Sequence, residues 1–360
     1  MTDNFWRGRK VGITGHTGFK GSWLALWLTA KGASVTGYAM RPDTEPALFG
    51  LSRLNETVVD IDGDVRDDGQ LVKAIRQTRP EIVFHLAAQP LVRRSYADPA
   101  GTFATNVMGT VNLLEAVRRV DSVRAVVVVT TDKVYENREW LWGYREEEKL
   151  GGKDPYSASK AGAELAVSAY AASYFPEATY ASHGVAVATA RAGNIIGGGD
   201  WSEDRLVPDC LRALQFGQPI TLRNPRAVRP WQHVLAPLHG YMQLAQGLCK
   251  AGPAYQGAWN FGPEDRDALP VRQIAEALRR HWGSDCPIVT REDGANRESG
   301  LLKLDSSRAR SLLGWSPPWG LKEALSRTVE WHKAFLQGEN VRRTCLDQIA
   351  AYERGLTDEN

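Results

Sequence analysis

The chain has 360 residues and a formal net charge of +2, with 43% of its residues hydrophobic and 24% charged. This balance is ordinary for a globular protein of one or two domains, and so small a net charge predicts no nucleic-acid or membrane partner. The four cysteines are scattered without a C-x-x-C pair, and no signal pattern or membrane-length apolar run occurs, so we expect a cytoplasmic protein with no metal site and no disulfide framework.

A short apolar strand at Lys10–Thr14 runs into a glycine-rich turn. Gly15, Gly18 and Gly21 have the spacing G-x-x-G-x-x-G, and a helix is predicted over residues 19–31. Glycines let the backbone turn tightly and approach a pyrophosphate, and a helix N-terminus favours negative charge. The turn alone is weak evidence for a nucleotide site, because glycine turns after strands are common.

Strand and helix signals then alternate through the first half of the chain. Apolar runs such as A-V-V-V-V are typical of strands covered by helices on both faces, and repeated βα units predict a Rossmann-like, doubly wound parallel sheet of the α/β class. Beyond about Ala192, glycines and prolines mark loops, which predicts a smaller, mostly helical lobe. Further strands are predicted at 34–39, 57–61, 82–86, 125–130 and 185–190, and helices at 67–79, 106–119, 157–175, 206–216, 271–281 and 321–336.

The domain division follows this change of pattern. We predict a dinucleotide-binding domain over residues 1–191, to which 227–258 returns, a ligand-binding lobe made of 192–226 and 259–340, and a C-terminal tail over 341–360. The cleft between the two lobes is the expected ligand site.

Two groups of residues indicate chemistry at this cleft. Thr131, Asp132 and Lys133 leave the end of the valine-rich strand, where ligands of open α/β sheets bind. Tyr156 and Lys160 are four residues apart and share one face of a predicted helix. The lysine charge can lower the tyrosine pKa from its usual ~10 towards that of a useful base. A Y-x-x-x-K pair arises by chance in many helices, but in this order after a glycine turn it indicates a catalytic site.

In this combination the sequence resembles the extended short-chain dehydrogenase/reductase superfamily, whose members act on nucleotide sugars, and within it the family of CDP-glucose 4,6-dehydratases. The resemblance extends from Phe5 to beyond Trp331. The stretches that carry it are G-H-T-G-F-K-G-S-W at 15–23, H-L-A-A-Q at 85–89, T-D-K at 131–133, R-A-G-N-I-I-G-G-G-D-W at 191–201 and R-P-W-Q-H at 229–233.

The resemblance implies the loss of water from C5 and C6 of the sugar, an early step of deoxysugar biosynthesis. Tyr156 would take the proton of the 4-hydroxyl while C4 gives up hydride, and Thr131 would hydrogen-bond the same oxygen. Lys133 stands where thymidine-linked relatives carry glutamate; in its neutral form it would remove the C5 proton, while protonated Asp132 protonates the departing 6-hydroxyl. A contact with the substrate phosphate, or an ion pair with Asp132, is the alternative for Lys133.

The resemblance also implies NAD as the cofactor, with Asp64 and Val65 near its adenine. One feature departs from the simple NAD pattern: no acid precedes Asp43 in the ribose zone, where Arg41 could instead favour the extra phosphate of NADP. The residues expected to bind the cofactor are Gly15, Thr17, Gly18, Phe19, Gly21, Asp64, Val65, Leu86, Ala87, Ala88, Tyr156 and Lys160.

Cations are needed for the diphosphate of a nucleotide sugar. Arg205 and Arg229 are the candidates, because arginine binds phosphate through two hydrogen bonds, and an ion pair at the surface or between the lobes is the alternative. The other expected substrate residues match family positions or follow a strand end; they are Asn194, Asn260, Gln89 and Arg93.

An aromatic segment and two apolar helices each allow two interpretations. The aromatic residues at 140–144 could cap the sugar as a lid, or they could pack in a loop whose glutamates, at 146–148, form a solvated face. The helices predicted at 106–119 and 157–175 are apolar on more than one face. In the family such helices form a four-helix bundle across a dimer axis, so we expect a homodimer, although a helix buried within a monomer has the same pattern.

Three functions are compatible with these residues. The first is dehydration of CDP-glucose; the second is another NAD(P)-dependent dehydratase, epimerase or reductase of dTDP-, GDP- or UDP-sugars; the third is a non-catalytic protein that senses NAD. The pair of Asp132 and Lys133 argues against a plain epimerase, which needs no acid and base at C5 and C6. Thr131, Tyr156 and Lys160 together argue against a protein that only binds.

Overall fold

The computed structural model describes residues 4–291 and 300–358. Its strands are β1 (Lys10–Thr14), β2 (Ser34–Ala39), β3 (Val59–Asp62), β4 (Ile82–His85), β5 (Ala125–Val129), β6 (Ala186–Ala192), β7 (Asn194–Ile196), β8 (Ile220–Leu222), β9 (Val228–His233), β10 (Gly257–Phe261), β11 (Ala268–Pro270) and β12 (Ile288–Thr290). Its α-helices are α1 (Phe19–Ala30), α2 (Leu48–Leu51), α3 (Asp68–Thr78), α4 (Val92–Ala97), α5 (Pro99–Phe103), α6 (Gly109–Arg118), α7 (Pro155–Tyr174), α8 (Tyr180–His183), α9 (Leu206–Gln215), α10 (Leu235–Ala251), α11 (Val271–Trp282), α12 (Ser307–Leu313), α13 (Leu321–Leu336) and α14 (Val341–Asp358).

Seven strands form one parallel sheet in the order β10-β6-β5-β4-β1-β2-β3. Strand β5 is buried along its whole length, and its successive side chains point to opposite faces. Val127 and Val129 pack in the core shared with α1, α10 and α14, whereas Val126 and Val128 pack with α3, α6 and α7. The predicted doubly wound sheet is confirmed, and the carboxyl ends of its strands lie along one edge.

The smaller part of the molecule has a core of its own. Strands β7, β9 and β11 form one sheet and β8 pairs with β12. Ile196 and Trp231 of these strands are buried with Leu211, Leu278 and Val329 of α9, α11 and α13. Among the helices of residues 4–291 and 300–358, none is long and apolar enough to span a membrane.

Two segments differ from the predicted domain division. The boundary expected before residue 259 falls inside β10, which pairs with β6, so residues 259–261 belong to the main sheet. The segment 341–360, expected to be a tail, contains α14, which packs on α1 and α13. Its buried Cys345, Ile349 and Tyr352 follow the spacing of one helix face, a signal that the prediction overlooked.

Candidate active site

Three of the expected catalytic side chains lie together just beyond the end of strand β5. Thr131 Oγ1 donates a 2.9 Å hydrogen bond to Oδ1 of Asp132, and Nζ of Lys133 lies 3.8 Å from the same oxygen. The Asp132 side chain is 1% exposed, whereas that of Lys133 is 34% exposed. Oδ2 of Asp132 accepts no hydrogen bond from the part of the chain that the structure describes. A buried polar atom of this kind needs a partner from ligand or water.

Helix α7 brings the tyrosine and the second lysine to the same strand end. The helix begins where Asp154 accepts a hydrogen bond from the backbone N–H of Ser157, which places Tyr156 in the first turn. One turn later, Lys160 is buried, and its Nζ donates a 3.1 Å hydrogen bond to the carbonyl oxygen of Val129. Burial lowers the pKa of Lys160 to about 8. The Tyr156 and Lys160 side chains therefore reach the end of β5 from its neighbouring helix.

Burial and neighbouring charges have opposite effects on the ionisation of Tyr156. Burial raises the pKa of Tyr156, because a buried phenolate loses its hydration. The largest opposing charge is that of Lys133, and Thr131 and Arg205 also favour the phenolate. Lys160 is not among these groups. The lowering of the tyrosine pKa that we expect from Lys160 together with the nicotinamide ring stays a prediction.

One charged group near the site escaped the sequence analysis. Lys20 lies in the first turn of α1, and burial lowers its pKa to about 7. The charges of Lys160 and Arg205 act in the same direction, while Asp132 opposes them, so Lys20 shares the electrostatic field of the catalytic cluster. Its position within the glycine turn, directly before Gly21, was the available signal.

The glycine turn forms a helix start suited to an anion. Gly15 has φ +75°, and a Cβ there would lie 2.6 Å from the backbone nitrogen of Ala87, so a larger residue could not approach the end of β4. A Cβ on Gly21 would overlap the carbonyl oxygen of Gly15. Helix α1 starts after Gly18 with no side-chain cap and no acid in its first turn. These residues fit the pyrophosphate of NAD.

The adenosine side of the cofactor site contains a second acid. The Asp64 carboxylate, expected near the adenine, accepts hydrogen bonds from the backbone and side chain of Arg66. In the ribose zone Arg41 lies 3.1 Å from Asp62, the last residue of β3. An acid therefore lies beside Arg41 at the end of the neighbouring strand. The remaining expected residues follow β1, β3 and β4; they are Thr17, Phe19, Val65, Leu86, Ala87 and Ala88.

The expected diphosphate cations occupy different surroundings. Arg205 is half-buried, lies 3.1 Å from Asp200 and is close enough to Tyr156 for its charge to affect that pKa. Arg229 is 6% exposed and donates a 2.9 Å hydrogen bond to the carbonyl oxygen of Val228. Of the other expected contacts, Arg93 lies 3.5 Å from Asp204 and Asn194 is half-buried at the start of β7.

Two side chains expected to contact substrate are already bonded within the protein. Asn260 is fully buried; its Oδ1 accepts a hydrogen bond from the Tyr135 hydroxyl, and its Nδ2 donates to the carbonyl oxygen of Tyr144. Gln89 bonds to the backbone of Leu91 through both atoms of its amide. In the protein these amides bond to its own backbone and side chains, so the expected contacts of Asn260 and Gln89 with the substrate stay a prediction.

The loop over residues 136–150 packs on the protein mainly through Tyr144, while other aromatic and apolar side chains of the loop are exposed. Tyr144 is 2% exposed and stacks between Tyr135 and Trp140, at 5.1 and 5.5 Å between ring centroids. Trp142 is 58% exposed. Burial raises the pKa of Glu146, whose Oε1 accepts a hydrogen bond from a backbone N–H. The expectation that the glutamates form a solvated face is therefore wrong for Glu146.

The chain matches one family model and is similar to dehydratases over almost its whole length. Residues 13–250 match the family model described as GDP-mannose 4,6 dehydratase. The chain is 51% identical over 354 residues to CDP-glucose 4,6-dehydratase of Salmonella typhimurium strain LT2, covering 98% of this chain and 99% of the relative. It is 30% identical over 331 residues to dTDP-glucose 4,6-dehydratase of Streptomyces griseus, covering 89% and 93%.

Solved structures show the same architecture. The dTDP-glucose 4,6-dehydratase of Streptomyces venezuelae, solved with NAD bound, superposes with a TM-score of 0.77 at 25% identity, over 92% of this chain and 99% of that one. An epimerase of Methanothermobacter thermautotrophicus has a TM-score of 0.80 at 22% identity, over 94% and 96%. The latter similarity shows the fold alone.

Proposed function

Because the chain belongs to the GDP-mannose 4,6 dehydratase family, we propose that it converts CDP-glucose to CDP-4-keto-6-deoxyglucose and water, with NAD as cofactor. The observation that carries this proposal is that Nζ of Lys133 lies 3.8 Å from Oδ1 of Asp132, which also accepts a hydrogen bond from the Thr131 hydroxyl. An epimerase has no use for such a pair, whereas an elimination across C5 and C6 needs both a base and an acid.

The first chemical step uses the tyrosine. The turn of Gly15, Gly18 and Gly21 would hold NAD, which would accept hydride from C4 and return it to C6, so that the overall reaction would have no net redox change. Tyr156 would take the proton of the 4-hydroxyl in its phenolate form, which the charges of Lys133 and Arg205 and of a bound nicotinamide ring favour. The Thr131 hydroxyl would hydrogen-bond the same oxygen. The resulting 4-ketone acidifies the neighbouring C5–H.

Elimination then uses Asp132 and Lys133. Neutral Lys133 removes the C5 proton, and protonated Asp132 gives its proton to the departing 6-hydroxyl, which leaves as water. The pair ends as ammonium and carboxylate. Transfer of one proton between these groups, through a small movement or a bridging water, restores the neutral acid and base. The support for this role is that Oδ2 of Asp132 is buried and accepts no hydrogen bond from the described part of the chain, so it can meet a substrate oxygen.

Arg205 and Arg229 are proposed to bind the diphosphate of the substrate. The support for Arg205 is its place beside both Tyr156 and Lys20, where its charge reaches the catalytic cluster. Arg229 lies on β9, which pairs with β7 in the sheet of the smaller lobe. A planar guanidinium suits such oxygen-rich groups.

Substrate choice is tested by offering CDP-, dTDP-, GDP- and UDP-glucose with deuterium at C4. We expect the CDP-sugar to turn over at least about tenfold faster than the others, because a nucleotide pocket discriminates through several contacts worth about 1 kcal/mol each. Deuterium should move from C4 to C6 of a 6-deoxy product, detected by NMR. Inversion of a sugar centre without loss of water would show an epimerase, and absence of turnover with every sugar would remove the enzymatic proposal.

A homodimer is proposed through the outer faces of α6 and α7. The support is a group of apolar side chains exposed on this side of the molecule: Phe103 is 41% exposed, Met108 51% and Leu165 62%. The segments that carry Phe103 and Met108 both pack against α7, which carries Leu165. Pairing of two such surfaces would bury them in a four-helix bundle.

The dimer surface predicts the result of one substitution. Leu165→Glu should give a monomer at micromolar concentration in light scattering, because dimer formation would bury an unpaired carboxylate. Leu141→Glu is the control, since Leu141 is 79% exposed in the loop over residues 136–150, and it should leave the mass unchanged. A monomeric wild-type protein, or a Leu165→Glu dimer of unchanged affinity, would contradict the proposed interface.

Cytoplasmic location is also a proposal. All four cysteines are free, and Cys210 and Cys345 are buried. Free thiols are typical of reducing compartments, whereas secreted proteins commonly pair them. This pattern supports a cytoplasmic enzyme.

A further inference from the structure

A buried carboxylate with no assigned role lies directly behind the catalytic lysine. Glu164 is on α7, one turn after Lys160, and is 4% exposed. Its Oε1 accepts hydrogen bonds from Thr130 Oγ1 at 2.5 Å and Arg191 Nε at 3.0 Å. Its Oε2 accepts hydrogen bonds from Thr189 Oγ1 at 2.6 Å and Arg191 Nη2 at 2.9 Å. Each oxygen therefore accepts two hydrogen bonds, one of them from Arg191, which forms a buried ion pair with Glu164.

These partners connect the helix of the tyrosine to the strands of the site. Thr130 directly follows β5 and precedes Thr131, while Thr189 and Arg191 belong to β6. Lys160 makes its own hydrogen bond to Val129, the last residue of β5. Glu164 thus fixes α7 against the strand end, at the point where the spacing between Tyr156 and the T-D-K segment is set.

Glu164 is the acidic group whose charge acts on Lys160, one helical turn away, while Arg191 is its direct ion-pair partner. The positive charges of Lys20 on α1 and Lys160 repel each other, and this repulsion helps to lower the pKa of Lys20. His85 of β4 also faces Lys160, but burial lowers the His85 pKa to about 3, so the ring is neutral. Tyr156 is on the same helix and carries no charge in the resting protein, since burial raises its pKa. Burial favours the loss of the Lys160 proton, and the negative charge of Glu164 opposes that loss.

We propose that Glu164 is a positioning residue for the dehydration: through its bonds to Thr130, Thr189 and Arg191 it holds α7, and with it Tyr156 and the charged Lys160, against the end of β5. This role rests on the proposed function only for its effect on turnover; the charge of Lys160 can be measured without any substrate. A carboxylate that only stabilises the packing of the core would affect the stability of the fold and leave the titration of Lys160 unchanged.

Glu164→Gln tests the electrostatic part. Loss of the negative charge, with Arg191 left unpaired, should lower the pKa of Lys160 by about one unit or more. The direct measurement is an NMR titration of protein labelled with carbon-13 at lysine Cε, with the Lys160 signal assigned by Lys160→Arg. In turnover, the alkaline limb of the kcat/KM profile should move to lower pH by a similar shift, because the lysine then loses its proton sooner. The acidic side of the profile should be less affected.

A double variant separates charge from packing. Glu164→Gln with Arg191→Met removes both members of the ion pair and leaves no uncompensated buried charge. If Glu164 only cements the core, this variant should regain the wild-type Lys160 titration and pH profile. Under the proposal, Lys160 still titrates early, because its counter-charge is absent. Glu164→Asp keeps the charge and should preserve the titration even where the shorter side chain weakens the contacts with Thr130 and Thr189.

Glu115→Gln is the matched control. Glu115 on α6 also accepts several hydrogen bonds, from Arg118, Arg119 and Tyr170, but it is remote from the catalytic strand end. Its loss should leave the Lys160 titration unchanged. An unchanged Lys160 titration in Glu164→Gln, or a fully restored one in the double variant, would overturn the proposal. Failure of the wild-type protein to use CDP-glucose would instead overturn the proposed function and leave the titration result standing.

Discussion

Lys133→Met is expected to oxidise CDP-glucose at C4 but to release almost no 6-deoxy product. The substitution removes the amine that takes the C5 proton and leaves Tyr156 and Thr131 in place. General acid–base catalysis contributes about 10²–10⁴-fold, so product formation should fall by about that factor. The measurement is a single-turnover experiment that follows both product by NMR and the near-ultraviolet absorbance of reduced nicotinamide, which should rise and persist.

Lys149→Met is the control for this variant, because Lys149 is a largely exposed lysine paired with Glu136 and outside the site. It should retain the wild-type rate of product release. Product release by Lys133→Met at near the wild-type rate would refute the assignment of the C5 base. Loss of C4 oxidation as well, together with a raised KM, would instead support the contact between Lys133 and the substrate phosphate.

Tyr156→Phe is expected to abolish the first chemical step. Without the phenolic oxygen no group in contact with the 4-hydroxyl can take its proton, so C4 oxidation and product formation should fall together by about 10²–10⁴-fold. The reduced nicotinamide should not accumulate, in contrast to Lys133→Met. Stopped-flow absorbance with saturating substrate distinguishes the two variants, since one stops before oxidation and the other after it.

Tyr170→Phe is the comparison on the same helix. Tyr170 donates a 2.9 Å hydrogen bond to Glu115, so its loss should cost about 1 kcal/mol of unfolding free energy and leave kcat unchanged. A Tyr156→Phe variant that still oxidises the sugar at near the wild-type rate would show that another group accepts the proton. A Tyr156→Phe variant with a much lower melting temperature than Tyr170→Phe would show that the loss is one of folding.

The order of chemistry-bearing residues along the chain was readable because local rules govern it. A strand that is buried on both faces must be apolar throughout, as β5 is, and a turn that approaches another backbone must carry glycine, as at Gly15. Tyr156 and Lys160 meet the same strand end because helix geometry fixes residues four apart on one face. These rules led to the sheet, the glycine turn and the catalytic residues.

The packing of helix α14 and the pairing of strand β10 could not be predicted from local sequence patterns. The apolar spacing of α14 was visible, but its partners α1 and α13 are far away in the chain, and nothing local shows that they cover it. Strand β10 is short and enters the main sheet beside β6, after the chain has passed through the smaller lobe. Such pairings depend on sheet order, which no window of sequence contains.

The amino-acid sequence by itself determined which residues form the elements and which of them bear the acid, amine, hydroxyl and phenol of the site. Tertiary structure alone decided the state of those groups. It buried Tyr156 enough to raise its pKa, used the amides of Asn260 and Gln89 within the protein, and set Glu164 behind Lys160. The physical reason is that hydration and electrostatic fields depend on every neighbour within several ångströms, and most of those neighbours come from distant parts of the chain.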